Sequence, residues 1–599
     1  MDRSSTTAPR LAPDILATLA CTESERIMRK QWIYKIVIVA GFSLSCILAI
    51  LFGFIIPSKE QMTIWFHATG YYFIFTGFIL WVASLLPRRF HCDVWIHRLQ
   101  KHGGVLLLAL VVIGATWFVT PPRFRILADE TNLAGMSASM YQHKTFYNSI
   151  QGLVYYEKYH DKQHVWDIRS LFYPFLVSLM HTFSGYRAEN AFVVNAIAGV
   201  SCLVSFYGLL QRWFPQWISI IGMLLLSSFP LFVLWTTSGG FEIVNLLFII
   251  IAFILLDKLI QDKQAITIEQ LGLTLLLLSQ LRYESVAITI SVGIAGMSFI
   301  RQIKIENLSY RLIMLPLLFL PVAWQRLIIL NNRDLQLLKG QEIFSFDAFK
   351  DNLGNAWLYF TTQPEKYNTI PILFYLALIG FIYGSLQVIR HRELITRRLL
   401  TLSGATLLSV LLLLIIILSF NNRTGGLIHP ATVRYGISFL PLIVFGTILL
   451  FNYLYQYKLE IARYVWIGAI ACLIWYWPVA ANNESLRQLT LYREYKVTLD
   501  FLKRNYSRSD VVIIAERPGL YTPHLWGAVS FFYANTHLKG LTQQLNQHLF
   551  QDMLAIQKIQ YANDQPTAST RLNNVKLETL YEVQTKGDWY IRFSKVSLK

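Results

Sequence analysis

The sequence predicts an all-α polytopic membrane protein with a small α/β domain at its C-terminus. Hydrophobic residues fill 54% of the 599 positions, charged residues fill only 15%, and the mean hydropathy is +0.43. A single globular core could not remove this much apolar surface from water. The apolar residues are grouped into runs of about 17–25 residues, the length that one helix needs to cross a bilayer. Composition and run length together indicate a chain that crosses the membrane many times.

About 13 such runs occur along the chain, and we interpret each one as a transmembrane helix. They lie at 34–56, 66–86, 104–120, 187–210, 216–235, 241–257, 267–281, 285–300, 311–329, 369–388, 399–420, 434–454 and 463–480. The first two, with the N-terminus, form a module of residues 1–103, and the others form a transmembrane domain of residues 104–480. Residues 1–33 lack an apolar core of signal-peptide type, so we expect the first span to remain as a signal anchor.

Basic residues predict how the spans are oriented. The net charge of +18 is compatible with a nucleic-acid-binding protein, but Lys and Arg are concentrated in short loops beside the apolar runs, which is typical of the cytoplasmic face of a membrane protein. These basic segments are 26–35, 88–101 and 390–398. We therefore expect a cytoplasmic N-terminus, a lipid bilayer as partner and no nucleic acid. Three long segments then become extracytoplasmic, namely 121–186, 330–368 and 481–599.

The first extracytoplasmic loop, 121–186, carries an acidic pair close to a membrane span. Pro121-Pro122 end the third helix, and Asp129 and Glu130 follow where nearby lipid makes desolvating a carboxylate costly. Apolar residues at helical spacing follow at 133–140. Two interpretations are open: Asp129 is the N-cap of an amphipathic helix on the membrane surface, or it is a catalytic carboxylate.

The remainder of this loop is aromatic and then apolar. Tyr and Trp are dense at 153–168, as in a membrane interface or a surface that stacks on sugar rings. The apolar stretch 171–183 is too short to span and predicts a helix lying in the interface. His160 and His164 are two potential metal ligands without a third at a defined spacing, so we assign no metal site to them.

Several short motifs resemble those of the GT-C membrane glycosyltransferases. Within that superfamily, the sequence looks most like the branch that contains protein O-mannosyltransferases and the aminoarabinose transferases of lipid A. The resemblance covers roughly residues 104–480. The matching pieces are Ala128-Asp129-Glu130, Arg169 to Pro174 and Phe183 to Arg187, with weaker matches at Leu281 to Glu284 and at Arg434-Tyr435. The sequence departs from the pattern of that branch at one element. The branch often has Lys/Arg-Pro-Pro where this chain has Arg169 and only one proline, Pro174, and the difference bears on the subfamily and on how the acceptor is held.

The resemblance implies an enzyme of the bacterial inner membrane with a periplasmic active site and C-terminal domain. It would transfer a sugar from a polyprenyl-phosphate donor to an acceptor hydroxyl, with inversion at the anomeric carbon. Asp129 would be the general base, and Glu130 and Glu284 would orient sugar hydroxyls or pair with arginines. The acceptor is a glycan, a lipid or a protein. The scheme needs no metal or other cofactor, although other branches of the superfamily use a divalent cation.

Charged residues also interrupt the apolar part of the chain. Glu242 follows a Gly-Gly turn at the predicted outer end of a helix. Arg282 and Glu284 are two positions apart between two short apolar runs. Such a pair is either a structural ion pair or part of a functional site facing a cavity, as charged groups at membrane depth often are. In the resembling family this region approaches the donor site.

Two arginines near the end of the membrane domain are candidates for holding a phosphate. A guanidinium remains charged and donates a planar fork of hydrogen bonds, so we expect Arg434, next to Tyr435, to bind the lipid phosphate, with Arg423 as the second candidate. The alternative is that either one snorkels to lipid headgroups.

Segment 330–368 is either a partly helical lid or a solvated connector.

The composition becomes polar at 481–599, which predicts an independent α/β domain of ordinary size. Patterns indicate a helix at 494–505, a buried strand at 511–515 and a hairpin formed by 577–584 and 588–595.

Two other functions of the whole chain remain open. A polymerase or ligase of lipid-linked glycans would use the same chemistry, whereas a transporter (flippase) would be expected to have internal repeats and broken helices.

Overall fold

The computed structural model describes most of the chain. The described residues are 13–86, 92–166, 169–302, 308–331, 344–361, 370–391, 396–420, 427, 433–457, 464, 489–562, 565–568, 570–586 and 588–598. Within them the protein is a bundle of apolar helices joined to one mixed β-sheet, so the predicted fold class is confirmed. The predicted span at 463–480 and the phosphate candidate Arg423 lie outside the described residues.

Three helices precede the first loop, as the apolar runs predict. They are α1 (Pro13–Ile50), which continues as a π-helix at Leu51–Ile55, α2 (Lys59–Leu85) and α3 (Cys92–Val119). A capping box starts α2: the Ser58 hydroxyl accepts from the Gln61 amide at 3.2 Å, and the Gln61 side chain accepts from the Ser58 amide at 2.9 Å.

The first loop folds into helices and a hairpin. Its elements are α4 (Leu127–His143), β1 (Tyr147–Tyr155), β2 (Lys158–Trp166) and α5 (Phe172–Ser184). Both predicted helices are present, and their position at the membrane interface stays a prediction. The N-cap position belongs to Ile126, however, so the interpretation of Asp129 as the N-cap is wrong. The sequence did not predict the hairpin because β2 is an edge strand, largely exposed, without the apolar alternation that marks a strand.

Twelve further described helices follow α5 before the C-terminal domain. They are α6 (Asn190–Gln211), α7 (Gln216–Ser228), α8 (Pro230–Thr236), α9 (Glu242–Asp262), α10 (Ala265–Ser279), α11 (Ser285–Met297), α12 (Arg311–Leu318), α13 (Leu320–Asn331), α14 (Phe346–Thr361), α15 (Ile370–Arg390), α16 (Arg397–Ser419) and α17 (Leu440–Tyr457). A 3₁₀ turn, Val433–Phe439, leads into α17. The helices α7 and α8 are bent by 72° where Pro230 starts α8, because proline has no amide hydrogen to continue the helical ladder.

Nine helices in the described part of the chain are long and apolar enough to cross a membrane, or ten if the bent pair α7–α8 forms one span. The runs predicted as spans at 267–281 and 285–300 form the shorter helices α10 and α11, of 15 and 13 residues. The number of about 13 spans therefore stays a prediction. The span of α9 is 72% buried and that of α15 only 11%, so α9 lies inside the bundle and α15 at its periphery.

The C-terminal domain forms one sheet together with the hairpin of the first loop. Its elements are α18 (Leu489–Asn505), β3 (Val511–Ala515), β4 (Gly527–Ser530), α19 (Phe531–Asn546), β5 (Asp552–Ala562), β6 (Gln565–Ala568), β7 (Val575–Lys586) and β8 (Trp589–Leu598). The strand order is β2-β1-β4-β3-β5-β8-β7, and β6 pairs with β5. β3 is parallel to β4 and β5, and the other pairs are antiparallel. The predicted helix, strand and hairpin of this domain are confirmed.

Candidate active site

The segment that leads from α3 to α4 is attached to the turn that follows α8. The Arg123 amide donates to the Thr237 carbonyl at 3.0 Å. The Arg125 guanidinium donates through Nε to the Leu234 carbonyl at 2.9 Å and through Nη2 to Thr237 Oγ1 at 2.6 Å. Asn195 of α6 holds the same turn from the other side, with Nδ2 at 2.7 Å from the carbonyl oxygens of Ser238 and Gly240. These bonds fix the position where α4 begins.

Glu130 connects the start of α4 to this turn. Its carboxylate accepts from the backbone amides of Arg125 at 3.1 Å, Ile126 at 3.0 Å and Gly239 at 2.7 Å. The amides of Arg125 and Ile126 lie just before the first turn of α4, so Glu130 fixes the direction in which the chain enters this helix. We expected Glu130 to pair with an arginine or to orient sugar hydroxyls, but both of its oxygens bind backbone amides instead. Burial raises the pKa of Glu130 to about 7, although the three amides favour its charged form.

Asp129 lies between two arginines from distant parts of the chain. Its Oδ1 is 2.5 Å from Nη2 of Arg169, and its Oδ2 is 2.6 Å from Nη2 of Arg434. Each carboxylate oxygen thus has its own guanidinium. The side chains of Asp129 and Arg169 are 22% exposed and that of Arg434 is 13% exposed, so this group remains accessible from outside the protein.

The ion pairs continue from Arg434 into the bundle. Arg434 Nη1 is 3.4 Å from Glu242 Oε1, the same oxygen lies 3.2 Å from Arg282 Nη1, and Arg282 also pairs with Glu284. The charges alternate along the row Arg169, Asp129, Arg434, Glu242, Arg282 and Glu284. Three carboxylates balance three guanidinium groups, which makes burial of the inner members tolerable. The Arg282–Glu284 ion pair that the spacing indicated is thus present, and it is linked to Asp129.

Two aromatic rings hold the arginines from the side. Arg282 Cζ lies 4.7 Å from the centre of the Tyr435 ring and 5.0 Å from that of Phe241. Arg434 Cζ lies 5.8 Å and 6.0 Å from the same two rings. Cation–π contact on this scale restricts the guanidinium orientations without neutralising their charge. Tyr435 therefore serves to orient Arg434 and Arg282.

Helix ends bring the row of charges together. Asp129 is in the first turn of α4, Arg169 precedes α5, Glu242 begins α9, and Arg434 lies in the 3₁₀ turn before α17. The partial positive charge at a helix N-terminus favours the carboxylates at the starts of α4 and α9. The sequence candidates thus converge at one end of the bundle, apart from Arg423, which is not among the described residues.

Other helices support the arginines. Gln325 of α13 donates through Nε2 to the Arg169 carbonyl at 2.6 Å. Helix α14 lies within the predicted lid segment, and its Tyr359 packs on Gly436, the residue after Tyr435. A Cβ at Gly436 would come within 2.2 Å of Tyr359 Oη, so glycine is required for this approach. The helical part of the lid prediction is confirmed, and the closing motion stays a prediction.

The two arginines control the charge of Asp129. Burial would raise its pKa, but the charges of Arg434 and Arg169 and their hydrogen bonds hold the pKa well below its usual range. Arg434 Nε and Glu242 Oε2 are buried and have no hydrogen-bond partner among the described residues. The site therefore combines an ionised carboxylate, two accessible guanidinium groups and spare hydrogen-bonding capacity next to them.

The part of the chain that the structure describes contains no group of three or more His, Cys, Asp or Glu arranged to hold a metal ion. His164 Nδ1 is instead 2.8 Å from Asp161 Oδ2, and the His160 ring lies 5.4 Å from that of Tyr155.

A second ion cluster at the other end of the bundle was not predicted. Asp257 is fully buried near the C-terminal end of α9 and binds Arg398 through two hydrogen bonds of 2.6 and 3.0 Å, and also Arg212. It lies about 22 Å from Glu242 along the helix, at 1.5 Å per residue. This distance excludes it from the site around Asp129, and we interpret it as a structural link between α6, α9 and α16.

No protein-family model and no curated protein matches the sequence. The solved structures include two similar enzymes. ArnT from Cupriavidus metallidurans bound to undecaprenyl phosphate is 11% identical over 82% of this chain and 98% of that chain, with a TM-score of 0.47. The oligosaccharyltransferase of Archaeoglobus fulgidus in complex with Zn and sulfate is 12% identical over 78% of this chain and 72% of that chain, with a TM-score of 0.41. They are of the kind that the sequence motifs resemble.

Proposed function

We propose that the chain is a membrane glycosyltransferase that moves a sugar from a polyprenyl-phosphate donor to an acceptor hydroxyl on the extracytoplasmic face. The observation that carries the proposal is the contact of Asp129 with Arg169 and Arg434 at an accessible end of the bundle. A carboxylate next to two cations combines a proton acceptor with groups that bind a phosphate, and both are needed to transfer a sugar from a phosphate. The motifs of the sequence support the same reaction.

The donor phosphate would bind to Arg434 and Arg169. Both guanidinium groups already hold an anion, Asp129, in a geometry that a phosphate oxygen can adopt, since Arg binds carboxylate and phosphate through similar charge-assisted hydrogen bonds. Arg434 Nε offers a further buried donor. Arg282 lies behind Arg434, where Glu242 and the Tyr435 ring hold it, and adds positive potential without direct contact.

Phosphate binding would also activate Asp129. With both arginines in place, the carboxylate is a weak base because its pKa is held low. A phosphate that draws the guanidinium groups toward itself removes this stabilisation, so the pKa of Asp129 rises towards the ordinary range of a carboxyl. The base therefore becomes effective only when the donor is bound.

The transfer then follows in one displacement. Asp129 takes the proton of the acceptor hydroxyl while the hydroxyl oxygen forms a bond to the anomeric carbon. The bond from that carbon to the phosphate oxygen breaks on the opposite face, and the electron pair leaves with the lipid phosphate, where Arg434 and Arg169 stabilise the charge. The anomeric configuration is inverted. Asp129 afterwards releases its proton to solvent.

A polyprenyl-linked glycan polymerase or ligase would use the same steps with a larger donor or acceptor. A lipid-linked glycan transporter is favoured by one feature, the broken helix pair α7–α8 with its 72° bend, since transporters often carry broken helices near their substrate. Only the transporter needs no proton acceptor. Loss of catalysis on removal of Asp129 therefore separates it from the two enzymes.

The experiment uses full-length protein in lipid nanodiscs. Undecaprenyl phosphate binding is measured by native mass spectrometry, and transfer is measured as release of polyprenyl phosphate from lipid-linked sugars extracted from the producing cells. Asp129→Asn should bind the lipid phosphate at least as tightly as wild type, because a competing anion is lost, but its release of polyprenyl phosphate should fall by about 10²-fold or more. Arg434→Gln should lose binding and release together. The matched control, Glu157→Gln at the exposed hairpin tip, should change neither. Wild-type turnover in Asp129→Asn would overturn the proposal.

A further inference from the structure

A polar cleft lies beside α4, at some distance from Asp129. It is bordered by α4, the β1–β2 hairpin and the 3₁₀ turns before β4, and it is open to solvent. Its polar lining consists mainly of Ser139, Gln142, Tyr147, Ser149, Tyr159 and Asp161. None of these residues belongs to the row of ion pairs around Asp129.

A hydrogen-bonded group forms the floor of the cleft. Ser149 Oγ is 2.6 Å from Tyr159 Oη and 2.6 Å from Asp161 Oδ1. The other oxygen of Asp161 is 2.8 Å from His164 Nδ1. A carboxylate or hydroxyl oxygen can accept two hydrogen bonds, so the group retains capacity for a ligand. The atoms of the floor are thus fixed in position and can still form hydrogen bonds to a ligand.

The backbone is shaped to build this floor. The register of β1 against β2 shifts on both sides of Gln151, and such bulges redirect side chains near binding sites. Gly152 follows the shift, and a Cβ there would lie 2.1 Å from Tyr159 Oη, so only glycine leaves room for that hydroxyl. The C-terminal domain closes the cleft, because Thr522 Oγ1 donates to the Ser149 carbonyl at 2.6 Å. The floor therefore depends on two distant parts of the chain.

One wall of the cleft is a stack of rings. The ring of Tyr147 lies 6.0 Å from that of His143, at an interplanar angle of 20°, and 4.7 Å from that of His164 on the hairpin. Rings in such a stack have restricted orientations, and Tyr147 and His143 both line the cleft. An aromatic wall beside hydroxyl and carboxylate groups suits a ligand that has both apolar C–H faces and hydroxyl edges.

The charge of the lining selects among ligand classes. Asp161 supplies a carboxylate, and neither Lys nor Arg occurs in the lining that the structure describes. An anionic ligand such as a phosphate would be repelled. A divalent cation needs several oxygen ligands of which more than one is usually charged, and Asp161 is the single carboxylate in this lining. A neutral ligand with many hydroxyls fits the donors, the acceptors and the ring wall together.

We propose that this cleft binds a neutral sugar residue. Binding as such does not depend on the transfer reaction, but its role as a subsite for the acceptor rests on the proposed function. Helix α4 carries Asp129 in its first turn and Ser139 ten residues later, about 15 Å away at 1.5 Å per residue. A glycan acceptor that reaches both would present its hydroxyl to Asp129 while a sugar further along its chain occupies the cleft.

The test measures binding of three neutral trisaccharides, maltotriose, chitotriose and mannotriose, to the full-length protein in nanodiscs by saturation-transfer NMR. At least one should bind to wild type. Asp161→Asn should weaken it about fivefold or more, the effect of at least one lost hydrogen bond. Gln142→Trp should block the cleft with a larger side chain. It leaves the residues of the floor unchanged, so it tests the proposal even if Asp161→Asn does not fold. Glu157→Gln on the same hairpin is the matched control and should bind as wild type.

The inference is overturned if no trisaccharide binds, if Gln142→Trp binds as well as wild type, or if inorganic phosphate competes with the sugar. Activity measurements separate it from the proposed function. Cleft variants that lose sugar binding should still transfer the donor sugar to water or to a monosaccharide acceptor, measured as release of polyprenyl phosphate. Sugar binding in a wild-type protein that releases no polyprenyl phosphate would overturn the proposed function alone.

Discussion

Asp129 and Arg434 are 305 positions apart in the sequence, and their side chains meet through Oδ2 and Nη2 at 2.6 Å. The contact joins the first turn of α4 to the 3₁₀ turn before α17. A carboxylate and a guanidinium in this arrangement hold each other in the charged state, so each can be exchanged for a ligand group of the same charge.

Asp129→Asn should lower the turnover of sugar transfer about 10²- to 10⁴-fold, the usual contribution of a general base. The asparagine amide has nearly the same shape but cannot accept the proton. Steady-state release of polyprenyl phosphate measures the effect, and an unchanged KM for the donor would locate the loss in the chemical step. A fall in turnover of less than tenfold would exclude Asp129 as the base.

Glu130→Gln should destabilise the protein by about 1–3 kcal/mol, because at least one of three backbone amides loses its acceptor. We expect the Gly239 amide, now 2.7 Å from Glu130 Oε2, to exchange its hydrogen faster. Hydrogen exchange followed by mass spectrometry measures this, and Glu157→Gln serves as control. Unchanged exchange at 236–240 with full loss of transfer would instead indicate direct contact of Glu130 with the substrate.

Gly436→Ala should reduce transfer by displacing Tyr435 from the two arginines that it orients. The added Cβ would come within 2.2 Å of Tyr359 Oη and 2.8 Å of its Cζ, which cannot be accommodated without movement. Combining the change with Tyr359→Phe removes the nearer atom and should restore part of the activity. A double variant no better than Gly436→Ala would contradict this explanation.

The buried His181 should make the first loop sensitive to acid. His181 lies between Ser137 Oγ at 3.0 Å and Asn190 Nδ2 at 2.9 Å, and burial lowers its pKa to about 4. The unfolded chain binds the proton more readily, so the contribution of the neutral imidazole to stability is present above about pH 6.5 and is lost as the pH falls towards the folded value. Thermal unfolding from pH 7 to 4 should therefore show a steeper loss for wild type than for His181→Gln. Parallel curves would exclude His181 as the cause.

The sequence predicted the residue types at the site better than their contacts. Asp129, Arg434, Glu242, Arg282 and Glu284 were all candidates, because a charge beside or inside an apolar run is costly and therefore noticeable. Their pairing was not predictable, since each partner comes from a different helix end. Glu130 was misinterpreted because adjacent carboxylates look alike in a sequence, although one faces two arginines and the other faces three backbone amides.

Signals that depend on long-range packing were missed. Asn195 and Asp257 lie within or near apolar helices and had no local pattern to mark them. The carbonyl groups that Asn195 binds and the two arginines that Asp257 binds are 40 or more positions away. The hairpin β1–β2 was missed for a related reason. Its outer strand is exposed, and what makes it a strand is pairing with β1 and, through β1, with the C-terminal sheet.

The sequence by itself determined that the chain is a helical membrane protein, where most of its helices lie and that residues 511–515, 577–584 and 588–595 form strands. These features follow from local hydropathy and periodicity, which act over one helix or strand. Only the tertiary structure decided that the first loop and the C-terminal domain share one sheet, that Asp129 binds two arginines and that a polar cleft forms beside α4. Each of these depends on residues hundreds of positions apart, and the packing of the whole bundle, rather than any local pattern, brings them within a few ångströms.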